Sequence, residues 1–230
     1  MKIFIAFLFL QALLFAESYT FSGGNNNTAH IIATKILTKV YDRAGIDVSF
    51  HFGNLQESLE KSDRGVYDGE ISRIKIINKK YKNLMMVPVS TLNIEAVAFS
   101  KDKNLKINSF ADLKGKKFAI VRGAKFIEYE TKDMNKVYKK SFKEAIESLE
   151  KGEIDIAVLP KLAGLTIVYE HNYRKIRIVG GSLISLKLYH FVHKKNAHII
   201  PIITPILQKM QKSGELSYIK RSHLRRFIQK

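Results

Sequence analysis

The chain has 230 residues, 46% of them apolar, with 39 Lys and Arg against 21 Asp and Glu, a formal charge of +18 and no cysteine. A chain of this size and apolarity buries roughly 70% of its unfolded surface, which excludes a disordered polymer and allows one large domain or two small lobes. The lack of cysteine excludes a disulfide framework and a lipoprotein anchor. Lys and Arg are scattered through every segment without an aromatic-basic motif, which argues against nucleic acid as a partner. A broadly positive field instead favours encounter with an anionic solute or an anionic membrane face.

The opening MKIFIAFLFLQALLFAES has one cation, an apolar run and small residues at Ala16 and Ser18. This is the pattern of a secretory signal over residues 1–16, too short for a membrane span, and it predicts a soluble periplasmic protein. Next, SYTFSGG reads as a strand, with a helix N-cap at Thr28 and a helix from about Ala29 to Ala44 stopped by Gly45. The segment IDVSFHF follows as a second strand, which makes a parallel strand-helix-strand unit whose loops gather on one edge. A short helix over Leu55–Ser62 leads to a third strand, Tyr67 to Arg73, that is rich in opposite charge: Asp68, Glu70 and Arg73. In open α/β sheets the carboxyl edge of such strands is where ligands bind. A basic helical patch and the run NLMMVPVSTLNIEAVAFS come next; the latter reads as strand and strand, crossing into a second body near residues 98–102.

Beyond the crossing, Ser109 caps a one-turn helix, a strand over Lys117–Val121 breaks at Gly123, and a helix over Phe142–Lys151 stops at Gly152. A buried strand over Ile154–Leu159 ends at Pro160, a helix covers Leu162–His171, and a short strand covers Ile176–Val179. ISLKLYHFVHKK is a long alternating strand that returns near residues 188–192, and the basic tail from about His198 to Phe227 is helical. The predicted architecture is α/β with two lobes, 18–98 plus 192–230 and 102–188, joined by two hinge crossings.

In order and spacing, DGEISR, NLMMVPVSTLNIEAVAFSK, SFADLKGKKFAIVRG, AIESLEKGEIDIAVLP and the final HFVHKK with LQKMQKSGELSYI resemble the family 3, amino-acid-type extracellular solute-binding proteins over the mature length. The resemblance implies the two-lobe periplasmic-binding-protein-like (type II) fold and a monomer without cofactor. It also implies capture of a small polar solute for an ABC importer or a membrane sensor, and the broadly basic chain and Arg73 point to an anionic one. Two alternatives from other classes are a periplasmic enzyme resembling cyclohexadienyl dehydratases, with Glu70 as general acid, and a relic that acts through protein contact. The chain departs from the amino-acid binders at two places. Lys80 stands where their carboxylate-binding Arg follows Thr-x-x, and Pro160 stands where an acidic residue meets the ammonium group. Both departures argue against a free α-amino acid as ligand.

Arg73 is the leading ligand anchor, because a guanidinium grips a carboxylate or phosphate with two parallel hydrogen bonds; the alternative is an internal ion pair with Glu70 or Asp68. Glu70 either meets an ammonium group or orients Arg73. Gly123, Ala124 and Lys125 form a second edge where backbone N–H groups hold an anion or simply make a strand-to-helix turn. Tyr19, Phe21 and Ser22 end the first strand, where aromatic rings stack on ligand or pack in the core. His190 and His193 fall on opposite strand faces without a carboxylate, so no metal site is expected. No GxSxG nucleophile elbow occurs.

Overall fold

A computed structural model describes residues 18–25 and 27–225. The leader expected over residues 1–16 and the last two residues of the expected tail, 226–227, lie outside the described residues. In chain order the elements are β1 (Ser18–Gly24), α1 (Thr28–Ala44), β2 (Asp47–Gly53), α2 (Leu55–Asp63), β3 (Gly69–Ile74), β4 (Leu84–Ser100), β5 (Phe118–Val121), α3 (Lys125–Glu130), β6 (Val137–Lys139), α4 (Phe142–Lys151), β7 (Ile156–Pro160), α5 (Lys161–Glu170), β8 (Arg177–Ile178), β9 (Ile184–His193), α6 (Ile200–Lys212) and α7 (Glu215–Arg225). Short 3₁₀ segments cover Lys75–Lys79, Phe110–Leu113 and Lys194–Ile199.

The strands pair in the order β2-β1-β3-β9-β4-β7-β5-β6, with β8 on β4. The first half is parallel around β1, which pairs with β2 and β3; the second is parallel around β5, which pairs with β6 and β7. Between them β4 and β9 run antiparallel from Leu84 opposite His193 to Ala96 opposite Ile184. β4 then continues against β7, from Ala96 opposite Pro160 to Phe99 opposite Ala157. The two crossings are therefore long shared strands, and the hydrogen-bonded path runs through them without a break. The expected pair of strands after Asn83 is one strand of 17 residues. Its register shifts between Met86 and Ser90, around Pro88, which has no N–H to give the ladder.

Local chemistry explains most boundaries. α1 is capped by Asn27, whose Oδ1 accepts the Ala29 and His30 N–H groups, and not by Thr28; it ends on Gly45, at φ 70°, which a residue with a Cβ resists. Its apolar stripe, Ile32, Ile36, Leu37 and Val40, is fully buried. Ser109 and Asp112 form the capping box of the one-turn helix. α4 buries Phe142, Ala145, Ile146 and Leu149 at helical spacing and stops at Gly152. β5 and β7 are apolar throughout and buried on both faces, as central parallel strands are. The charged strand begins at Gly69, so Asp68 precedes it. The helical tail is two helices, parted at Ser213 and Gly214, the latter with φ 77°.

Candidate functional site

The carboxyl ends of β1, β3, β5 and β7 meet the start of α1, the start of α2 and the β5–α3 turn around a cavity of about 30 Å³. Asn27, His30, Leu55, Ser72 and Arg73 line it from the first half, and Gly123, Ala124, Lys125, Phe126, Phe142 and Pro160 from the second. A volume of that size holds about one or two water molecules.

Arg73 forms the floor. Its side chain is 6% exposed and Glu70's is fully buried. Nε–H donates to Glu70 Oε2 at 2.5 Å, one terminal nitrogen to the Leu55 carbonyl at 2.8 Å, and the other to the Gly123 carbonyl at 3.3 Å. A guanidinium has five N–H donors, so two remain beyond these contacts. Glu70 Oε1 accepts the Ser22 hydroxyl at 2.8 Å and lies 3.0 Å from the Ser62 hydroxyl. The carboxylate is thus saturated by groups of its own half, as a buried charge must be. Ser22 and Glu70 form the layer beneath Arg73 and do not line the cavity. The sequence left open whether Arg73 pairs with Glu70 or Asp68; it pairs with Glu70. Asp68 faces away, accepting Thr20 N–H at 2.8 Å and Asn196 at 2.7 Å, with Lys195 at 3.0 Å. Burial alone would raise its pKa, and these partners outweigh that and hold it below the usual carboxylate range.

The second edge is internally bonded. Gly123 N–H donates to Glu128 Oε1 at 2.7 Å and Lys125 Nζ sits 2.5 Å from Glu128 Oε2. The Ala124 and Lys125 N–H groups go to Val121 and Gly123 carbonyls. The carboxylate that this turn holds is therefore the chain's own. Tyr19 and Phe21 are core aromatics and do not line the cavity: Phe21 packs edge-on to His190 at 4.5 Å and against Tyr41 at 5.3 Å, and the Tyr19 hydroxyl meets His198 at 3.1 Å. Lys80, in the place of the amino-acid binders' arginine, is exposed, its ammonium 5.6 Å from the Tyr81 ring centre.

Sequence reasoning missed His30, Ser72, Asn27 and Leu55. His30 Nδ1 accepts the Gly24 N–H at 2.8 Å, which fixes the proton on Nε2. Burial, then the Arg73 charge, lowers its pKa to about 3 despite a hydrogen bond with the Ser72 backbone. Ser72 Oγ is buried and has no hydrogen-bond partner. Its place beside Arg73 in a fully buried strand was the available signal. Among the described residues no group of three or more His, Cys, Asp or Glu is arranged to hold a metal, and no helix is long and apolar enough to cross a membrane.

No family model matches the chain, and no curated protein matches it by sequence. Solved structures do. A histidine kinase sensor domain with similarity to periplasmic binding proteins superposes with TM-score 0.77 at 19% identity, over 91% of this chain and 97% of that one. An ancestral arginine-binding protein bound to arginine gives 0.75 at 19%, over 89% and 97%. The amino acid ABC transporter substrate-binding protein AbpA from Streptococcus pneumoniae, bound to L-arginine, gives 0.75 at 14%, over 93% and 97%. The chain shares the two-lobe fold of these periplasmic-binding-protein-like domains.

Proposed function

We propose that the protein is an exported receptor domain that takes a small anionic solute between its two lobes and presents the closed form to an ABC importer or a membrane sensor. The observation that carries this reading is the buried Arg73 guanidinium, which lines a cavity shared by both halves and has two N–H donors beyond its internal contacts. The unpartnered Ser72 hydroxyl belongs to a residue lining the same space, and it can donate to an acceptor-rich ligand; Lys125 lines it too, with its ammonium already paired to Glu128. Glu70 does not reach the cavity, which speaks against its use as a general acid on a bound substrate. The lobe limits that accompany this reading are 18–98 with 192–230, and 102–188, in a monomer freed of residues 1–16. The likeness to both a sensor domain and a transporter's binding protein supports either recipient.

A thermal-shift screen of organic anions, phosphates, amino acids and polyamines is the direct test, because a ligand at about 100 times its Kd adds roughly 2.7 kcal/mol. With a hit in hand, Arg73→Ala weakens binding by 30-fold or more and Lys80→Ala changes it little. A hit confined to cations, or the reverse order of the two variants, overturns the anionic reading.

A further inference from the structure

The contacts that join the halves are made by the protein's own atoms. Arg73, from β3, donates across the gap to the Gly123 carbonyl, and to Leu55 on its own side. Thr28 Oγ1 donates to Thr166 Oγ1 at 3.0 Å, and Asn54 Nδ2 to the Lys140 carbonyl at 3.2 Å. Gly123, at φ +91°, lies so close to the start of α2 that an added Cβ would fall 2.5 Å from Gln56 N and 2.7 Å from the Leu55 carbonyl carbon. The polar sites on both walls are likewise filled from within: the acceptors Glu70, Leu55 O and Gly123 O by a guanidinium, and the Gly123 N–H with Lys125 by the Glu128 carboxylate.

We infer that Glu70, the Leu55 carbonyl and the Gly123 carbonyl constitute a guanidinium site that the chain fills with Arg73, a tethered occupant over which the lobes close without any solute. The physical basis is linkage. A ligand that contacts both lobes only in the closed form draws the population toward that form, and a side chain in the same place does so at an effective concentration set by its tether and not by dilution. A solute then enters only through the open minority, so its apparent affinity is reduced by the open fraction. The inference does not depend on whether the cleft also accepts an anion.

The test uses the absence of native cysteine. Spin labels on Arg64→Cys, in the first half, and Lys132→Cys, in the second, report the separation of the lobes. The protein is unfolded, dialysed and refolded first, which strips any solute carried from the cell. The expected result is a short, single separation for this labelled protein with nothing added, and a shift to longer separations in Arg73→Ala. Ethylguanidine, supplying the missing group, restores the short separation in Arg73→Ala and leaves the parent unchanged. Because Arg73→Ala strands the Glu70 charge and can fail to fold, Gly123→Ala is measured beside it: it keeps the Arg73–Glu70 pair and lengthens the separation through its Cβ alone. A parent that is open without solute overturns the inference. So do variants that stay as closed as the parent, or an Arg73→Ala protein that ethylguanidine does not reclose. An anion screen that fails while the refolded parent is closed removes the proposed ligand and leaves the tethered occupant standing.

Discussion

His190, on the crossing strand β9, accepts the Tyr41 hydroxyl of α1 at Nε2 over 2.9 Å, while its Nδ1 gives a proton to the Glu70 carbonyl at 2.8 Å. A carbonyl only accepts, so Nδ1 carries the hydrogen; burial keeps the ring neutral, which leaves Nε2 as the acceptor. One imidazole thereby ties a helix and a sheet strand to a hinge crossing, immediately behind the residue that holds Arg73. Tyr41→Phe leaves a buried Nε2 without its donor, and the expected loss is about 1–3 kcal/mol in urea unfolding. An unchanged midpoint would mean that water replaces the hydroxyl.

The same ring sets a pH dependence. Burial lowers the His190 pKa to about 4, against hydrogen bonds that the ring donates to the backbone, and lowers that of His30 to about 3. An unfolded chain takes up these protons near pH 6.5, before the folded one does. Stability is therefore fully present above about pH 6.5 and is lost as pH falls toward 4. With both rings titrating only in the unfolded chain, the slope approaches about 2.7 kcal/mol per pH unit. Urea unfolding between pH 7 and 5 checks this in a range where most carboxylates stay ionised. His190→Gln is expected to halve the slope.

Glu70 and Arg73 are an ion pair sealed from water, and such pairs are costly to break and cheap to replace. Glu70→Gln keeps the shape but leaves the guanidinium charge uncompensated, with an expected cost of about 3–5 kcal/mol. The double variant Glu70→Met with Arg73→Met should recover most of that loss, because no charge is left buried. Additive losses in the double variant would show that the serines beneath Glu70, and not the pair, carry the stability.

The fold was readable because its punctuation is local. Gly45 and Gly152 stop helices in left-handed conformations, Ser109 builds a capping box, and α4 carries its apolar stripe at regular spacing. β6 went unread because Val137, Tyr138 and Lys139 are too few and too exposed to show a pattern. β4 is one strand where two are expected, because the ladder steps over Pro88 with a register shift. The site was half legible. Arg73, Gly123 and Lys125 stand at strand ends that topology turns toward one cleft, and a residue string reports that. The partners of Arg73 could not be read, since two are carbonyls, Leu55 and Gly123, that lie 18 and 50 positions away. His30 was hidden on α1 for a similar reason: its buried role follows from a contact with Gly24 and not from helical spacing.

Ser72 offers the sharpest separation of stability from binding. Its hydroxyl is buried, lines the cavity and meets no protein partner, so the folded state bears the cost of desolvating it without a return hydrogen bond. Ser72→Ala removes that cost and keeps the backbone group bonded to His30. The expected outcome is an unfolding midpoint equal to or above that of the parent, against the usual direction for a core substitution. If the cavity takes an acceptor-rich solute, the same variant loses one donor to it, and affinity falls by roughly 5- to 10-fold, the worth of one neutral hydrogen bond. Calorimetry on the screened ligand and thermal unfolding of the free protein read the two effects independently. A midpoint several degrees lower would show that Ser72 Oγ has a structural partner in solution, and its assignment to the solute would then be wrong.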